Sequence, residues 1–554
     1  MAREQGTGPM SELHTLSVAE AGRLIGARRL SPVALVEAVL DRIAAVDDRL
    51  NSYILVLAGR ARAAARAAEA EIAAGGWRGP LHGIPFGIKD NYHVADLPTT
   101  GGSRLMQDSL PQAETATIVA RLERAGAILM GKLNTWEYGT GDGQVYHDLP
   151  WPVARNPWDL ARFTGGSSTG AGAAVAAGTA LFALGSDTGG SIRLPAAACG
   201  LQGLKPTFGR NSRAACLPNC WSLDHTGALT WTVEDQAIVL GAIAGFDPRD
   251  PSSATAPVPD YRKGLHEGVR GLVIGIVRDL GPAGDAVDPA NRDALEDAAA
   301  RLAEAGAIVR EVALPAPLSA YQAVAWTINW AESFSIHEQD FLARRGLMGR
   351  ALRSKMATGF CVRAVDYIAA LRERRRLALA TDALMRSVDA LLMPGAFHVA
   401  PSLREPGTVP AFTRDTACPV FNVTGHPALS LCTGFDAGGL PLNAQVAGRY
   451  FDEATVLRVA QAYEATTPWR ARKAEPASHL PEPIMPDPTL PPVPPELRAE
   501  AERYAARYGL AGLSPAEVAE LALLFDKAAS AGLAIPRQPG KEDEPAHVFR
   551  VPLR

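Results

Sequence analysis

The stretch TGGSSTGAGAAVAAGTALFALGSDTGGSIRLPAAACGLQGLKPTFG, residues 164–209, holds two Gly-Ser clusters, at 165–170 and 189–191, on either side of an apolar, helical stretch. Glycine lets backbone N–H groups come close to a ligand and take up conformations barred to other residues. A run of such N–H groups at a turn binds an anion, which here is either a phosphate or a transient oxyanion. The phosphate reading is weak, because no G-x-x-x-x-G-K-[ST] occurs and GGSSTGAG does not fit G-x-G-x-x-G. Gly166-Ser167-Ser168-Thr169-Gly170 satisfies the G-x-S-x-G of a nucleophile elbow. That elbow needs an apolar strand immediately before it, and RNPWDLARFT stands there instead. Taken alone, either cluster also reads as a Gly-rich packing loop.

Working outward, residues 12–76 read as helices, with Ser17 as a cap, Ser31-Pro32 starting another, and an Ala-rich run over 56–74. GIPFGIKDNY (83–92) reads as a short strand and turn. Helix–Gly–strand units follow at 114–133 and 290–313, and a charged helix over 363–384 leads into the buried strand 390–394. Such units in series predict an α/β fold. Between Pro476 and Pro495 stand 9 prolines in 20 residues, an extended linker. Beyond it, Leu497, Ala501, Tyr504, Ala505 and Tyr508 fall on one helical face, and Ser514-Pro515-Ala516-Glu517 has capping-box spacing. The expected organisation is a catalytic unit over 1–474, a Pro-rich linker over 475–495 and a small helical domain over 496–554.

Composition excludes several classes. The chain has 554 residues, of which 47% are hydrophobic and 21% charged, values that rule out wholesale disorder. Its 55 Lys and Arg against 59 acids leave a net charge of -4, so nothing global favours nucleic acid or an anionic membrane. Six cysteines in this length do not make a disulfide scaffold, and Cys216 and Cys220 have no second pair at zinc spacing. His266-Glu267 and His337-Glu338 lack the second His of H-E-x-x-H, so neither a metal nor a cofactor is expected. MAREQGTGPM has no apolar core, so a signal peptide is not expected and a cytoplasmic location is the default. Residues 344–376 carry ten Lys or Arg, read either as a solvated helix face or as a positive rim that steers an acidic substrate.

Both clusters together, with a Lys upstream, closely resemble the amidase signature family. The resemblance runs through GIPFGIKDN (83–91), ATIVARLERAGAILMGKLN (116–134), ARNPWD (154–159), the 164–209 block, WSLDHTGALTWTVEDQA (221–237) and FNVTGHPALSL (421–431). It implies the family's fold, a central mixed, twisted β-sheet covered by helices on both faces, here with a C-terminal helical appendage. It also implies that Lys89 is the catalytic lysine, Ser167 a serine held by a cis peptide, and Ser191 the nucleophile. A serine hydroxyl needs a base, and a buried Lys can be that base when neutral. By the resemblance, Lys89 takes a proton from Ser167, Ser167 takes one from Ser191, and Ser191 attacks an amide carbonyl. The oxyanion is expected on the backbone N–H groups of Thr188, Gly189, Gly190 and Ser191, and water then releases the acyl-enzyme. Gly166, Ser168, Asp187 and Arg193 are expected to support these loops, and His225 and His426 are read as structural.

The implied reaction is hydrolysis of a carboxylic amide or a related urea, carbamate or anilide. The alternative is the glutaminase subunit of a tRNA-dependent amidotransferase. A third possibility is a non-catalytic protein that has kept the fold. The expected partner is a small-molecule amide, with no nucleic acid, no membrane and a possible homodimer. Substrate choice is expected in the variable segments 136–150, 320–362 and 395–418. Residues 514–553, closing with EPAHVFR, are similar to the small helical partner chains of some family members. They read either as such a partner fused in cis or as an extension packing on the core or a dimer interface.

Overall fold

Serine caps start the early helices where their positions suggest. Ser17 forms a capping box with Glu20 ahead of Val18–Gly26, and Ser31 accepts from the Ala34 N–H ahead of Pro32–Leu50. The computed structural model describes residues 10–140, 145–480, 492–510 and 512–536. Among them are thirteen strands: β1 (Tyr53–Val56), β2 (Pro85–Lys89), β3 (Ile128–Leu133), β4 (Arg155–Asn156), β5 (Asp159–Phe163), β6 (Phe182–Asp187), β7 (Gln202–Lys205), β8 (His225–Thr230), β9 (Val273–Ile276), β10 (Ile308–Glu311), β11 (Ala390–Met393), β12 (Ala428–Phe435) and β13 (Pro441–Gly448). Eleven of these form one sheet in the order β1-β3-β2-β6-β8-β7-β12-β13-β11-β9-β10, and β4 and β5 form a separate ladder.

The sheet is mixed. β2 runs parallel to β3 and β6, and β9 parallel to β10 and β11, while the strands between are antiparallel. Helices flank it, among them Thr169–Ala177 against β6 and Pro289–Glu304 against β13. Strands β2, β3, β7, β8, β11 and β13 are buried along their whole length, which is why they read as apolar runs rather than alternations.

The run between the two Gly-Ser clusters is a helix followed by a strand, not one helical stretch. Thr169–Ala177 stops at Gly178, whose φ of +73° ends it, and β6 begins four residues later. A short apolar strand buried on both faces cannot be told from helix by periodicity. A strand, β5, does precede Gly165-Gly166-Ser167, but it belongs to the two-stranded ladder and not to the central sheet.

The C-terminal residues form the helices Pro495–Arg507 and Pro515–Ala534, the second with the Ser514–Glu517 capping box. Ala501 and Ala505 are buried in one apolar cluster with Phe341, Leu352 and Met356 of the larger unit. Tyr504 meets Phe360 edge-on at 5.0 Å and donates its hydroxyl to the Phe360 carbonyl at 3.1 Å. Most of the proline linker, over 481–491, and the closing EPAHVFR motif lie outside the described residues. All six cysteines are free. No described helix is long and apolar enough to cross a membrane.

Candidate active site

β2 and β6 are adjacent and parallel, so their carboxyl ends lie at one edge of the sheet. Lys89 ends β2, and Ser186 and Asp187 end β6. Lys89 is fully buried, and its Nζ donates to Ser167 Oγ at 2.7 Å and to Ser186 Oγ at 2.9 Å. Asn91 Nδ2 also donates to Ser186, at 3.0 Å. Burial pulls the Lys89 ammonium down to about 8, against the opposing pull of Cys216, Asp224 and Asp187. A substantial neutral fraction therefore exists near physiological pH. Gly139 (φ +67°) covers this pair closely, since a Cβ there would lie 3.1 Å from the lysine Nζ.

Ser167 follows a cis Gly166–Ser167 bond, and its carbonyl accepts from the Trp136 N–H at 3.1 Å. Ser168 works on the backbone of β6: its Oγ lies 3.3 Å from both the N–H and the carbonyl of Ser186. Ser191 sits half-buried in a cavity of about 420 Å³, lined also by Gly166, Thr188 and Gly189. The Ser191 hydroxyl has no hydrogen-bond partner among the described residues, so the step from Ser167 to Ser191 is not closed here. Such contacts commonly tighten only when substrate binds.

The loop presenting Ser191 is pinned by Asp187 and Arg193, both buried. The carboxylate accepts from the N–H groups of Gly190 at 2.8 Å and Ile192 at 3.1 Å, and from Asn422 Nδ2 at 2.8 Å. Arg193 returns Nε and Nη2 to it at 3.0 Å each, and also reaches the Cys418 carbonyl at 2.9 Å and Asn422 Oδ1 at 2.6 Å. Burial alone would raise the Asp187 pKa, but Arg193 and Asn422 hold it well below the usual carboxylate range. The four expected oxyanion donors are thus not equivalent. The Gly190 N–H is committed to Asp187, while those of Thr188, Gly189 and Ser191 have no partner among the described residues. Thr188 is held from below, its hydroxyl donating to Asp224 at 2.6 Å.

Several cavity residues carry no motif. Trp326, Asn329 and Trp330 come from the helix Leu318–Arg344, and Lys355 from Arg350–Phe360. The segment 320–362, expected as variable loop, is these two helices. Lys355 is buried and donates to Asn219 Oδ1 at 2.9 Å, while Asn219 Nδ2 donates to Thr188 Oγ1 at 3.1 Å. The basic run 344–376 is therefore not simply a solvated face. Lys355 lines the cavity, Arg374 is buried on the carbonyls of Val423 and Ser222, and Arg344, Arg363 and Arg376 pair with acids on their own helices. His225 and His426 are both buried outside the cavity lining, the first with Nδ1 against the Leu223 carbonyl and the second stacked on Tyr450. Among the described residues, no group of three or more His, Cys, Asp or Glu stands together to hold a metal ion.

The family description "Amidase" matches residues 34–457. This chain belongs to the amidase signature family. It is 38% identical over 495 residues to the glutamyl-tRNA(Gln) amidotransferase amidase-type subunit of Chloroflexus aggregans, covering 84% of this chain and 99% of that one. It is 39% identical over 489 residues to the same subunit of Moorella thermoacetica, with the same coverage. A solved structure described as a vestigial protein complex that reveals the origins of an s-triazine catabolic enzyme superposes with a TM-score of 0.75 at 30% identity, covering 83% of this chain and 99% of that chain. These relatives correct one expectation. A small-molecule amide as partner, with no nucleic acid, does not stand, because the matched proteins are named for a tRNA-borne glutamyl group and as one subunit of an assembly. The motifs encode how a C–N bond is cleaved, and chemistry shared by the family says nothing about what carries the substrate.

Proposed function

We propose that this chain is the amide-cleaving component of an amidotransferase, the role for which its amidotransferase relatives are named. The observation that carries the reading is the buried Lys89–Ser167 contact of 2.7 Å opening onto the cavity that holds Ser191. In the step so supported, neutral Lys89 accepts the Ser167 proton as Ser167 accepts that of Ser191. Ser191 Oγ attacks the carboxamide carbon, and the oxyanion is received by the N–H groups of Thr188, Gly189 and Ser191, with Gly190 held back by Asp187. One such donor is worth about 10²–10³ in rate. The proton returns through Ser167 to the departing nitrogen, leaving ammonia and an ester on Ser191. Water cleaves that ester, and the ammonia is the nitrogen that a partner would pass to a tRNA-borne glutamyl group. The support is kinship over nearly the whole length of the relatives.

A fluorophosphonate followed by mass spectrometry tests the chemistry. The adduct is expected on Ser191 and on no other serine, and an unlabelled Ser191 would remove it as nucleophile. The assembly is tested by ammonia release from glutamine. It should rise several-fold, about tenfold or more, when a tRNA-activating partner and glutamyl-tRNA are added, as binding energy completes the site. A second reading, a self-contained amidohydrolase, is favoured by the C-terminal helix that supplies Lys527 to the cavity. Full turnover by the chain alone, unchanged by partner and tRNA, would select it.

The pH dependence follows from Lys89. The free base is the active form, so kcat/KM should rise with pH through about 8 and level above it. Below that pH it should fall about tenfold per unit. A profile flat from pH 6 to 9 would remove Lys89 as the base.

A further inference from the structure

One wall of the cavity over Ser191 comes from outside every motif. Lys527 stands on the helix Pro515–Ala534 and lines the same cavity as Thr188, Gly189 and Ser191. Its Nζ lies 5.4 Å over the ring of Trp330. That helix is held against the larger unit by the cluster containing Phe341, Leu352 and Met356, so the position of Lys527 is set by packing. Among the described residues, three cations line the cavity, Lys355, Arg414 and Lys527, and no acidic side chain does.

The three differ in what already satisfies them. Lys355 is buried and donates to Thr140 and Asn219. Arg414 pairs with Asp415 at 2.7 Å. Lys527 is exposed, and among the described residues no carboxylate pairs with it. The walls between it and the serine loop include Trp136, Trp326 and Trp330. Such walls suit a short chain of methylenes or a planar chain, with the polar recognition at its two ends.

We infer that Lys527 is a specificity-determining residue that reads a carboxylate at the end of the substrate remote from the scissile amide, and that the C-terminal helix is thereby part of the active site. This rests on the reading of Ser191 as the amide-cleaving residue. Its substrate class is a primary amide whose acyl group carries a distal carboxylate. That chemistry is shared by an amino acid amide such as glutamine and by a simple dicarboxylic monoamide such as glutaramate. They differ in the α-ammonium, for which the described cavity lining offers no acidic partner.

Binding to the non-turning Ser191→Ala chain, measured by titration calorimetry, tests the inference apart from the chemistry. Glutaramate should bind more tightly than pentanamide, its counterpart without the carboxylate. Adding Lys527→Gln should weaken glutaramate by about five- to tenfold and leave pentanamide within about twofold. Lys527→Arg should restore the preference, and Lys527→Glu should reverse it. An equal loss for both ligands would mark Lys527 as a packing residue and overturn the inference, as would an unchanged glutaramate affinity in Lys527→Gln. Glutamine binding with the same Lys527 dependence would support the inference and name an amino acid donor. Glutaramate binding alone would support it with a donor lacking the ammonium. Failure of the amide-cleaving reading would show separately, as an unlabelled Ser191 in the wild-type chain.

Discussion

Lys89→Met should abolish amide turnover while leaving the fold as stable as before. The methionine side chain has nearly the length of lysine without its ammonium. Lys89 is fully buried, and that burial, which brings its pKa to about 8, disfavours the charged form in the native protein. Removing the ammonium removes that cost, and it leaves the Ser167 and Ser186 hydroxyls short of one donor. Asn91 still donates to Ser186, so the second loss is partly covered. The two effects oppose each other, and the expected change in stability is within about 1 kcal/mol. Turnover has no such compensation. General-base catalysis supplies about 10²–10⁴ in rate, and residues that work as one unit lose most of their joint contribution when any member is removed. Lys89→Met combined with Ser191→Ala should therefore be hardly slower than either alone. Steady-state ammonia release and thermal melting on the same three variants check this. A Lys89→Met chain that unfolds early, or one that retains a tenth of its activity, would refute the assignment.

How much of this site the sequence discloses depends on how local each contribution is. The loop 187–193 is legible because its glycines, serine and charged flanks are contiguous, and the Asp187–Arg193 pair spans only six residues. The capping boxes at Ser17 and Ser514 are legible for the same reason. Lys89 is legible through a resemblance, since nothing in GIPFGIKDN itself says that this lysine is buried beside a serine 78 positions later. Ser186 escapes notice because a serine at the end of an apolar strand carries no motif. Its role comes only from the parallel pairing of β2 with β6. Trp326, Trp330, Lys355 and Lys527 lie on helices whose amphipathic pattern is dominated by packing, so their shared cavity follows from tertiary contacts alone. The Gly190 N–H shows the opposite failure: the motif marks it as a donor, and the three-dimensional turn of Asp187 takes it away.

Asp187→Asn should cost more stability than any substitution of the serines. The pair it breaks is buried on both sides, with side-chain exposures of 0% for Asp187 and 1% for Arg193. The amide keeps the shape of the carboxylate but not its charge, and it can accept at only one of the two oxygens that now serve Gly190, Ile192 and two nitrogens of Arg193. Arg193 would keep the Cys418 carbonyl, Asn422 and Gln445, all neutral, and would be left as an uncompensated buried cation. Breaking such a pair by removing one partner costs about 3–5 kcal/mol. The loop that the carboxylate ties down is the one presenting Ser191, so labelling of Ser191 by a fluorophosphonate should slow along with the loss of stability. The pH dependence gives an independent check. The folded-state pKa of Asp187 lies below its ordinary value of 3.8, so its contribution is fully present above that pH and fades only as the pH falls further. The wild-type chain should therefore keep its advantage over Asp187→Asn from neutrality down to about pH 4 and lose it in stronger acid. Denaturation midpoints of the two chains across that range decide the matter. Equal midpoints at neutral pH would mean that the neutral hydrogen bonds, not the charge pair, hold the loop.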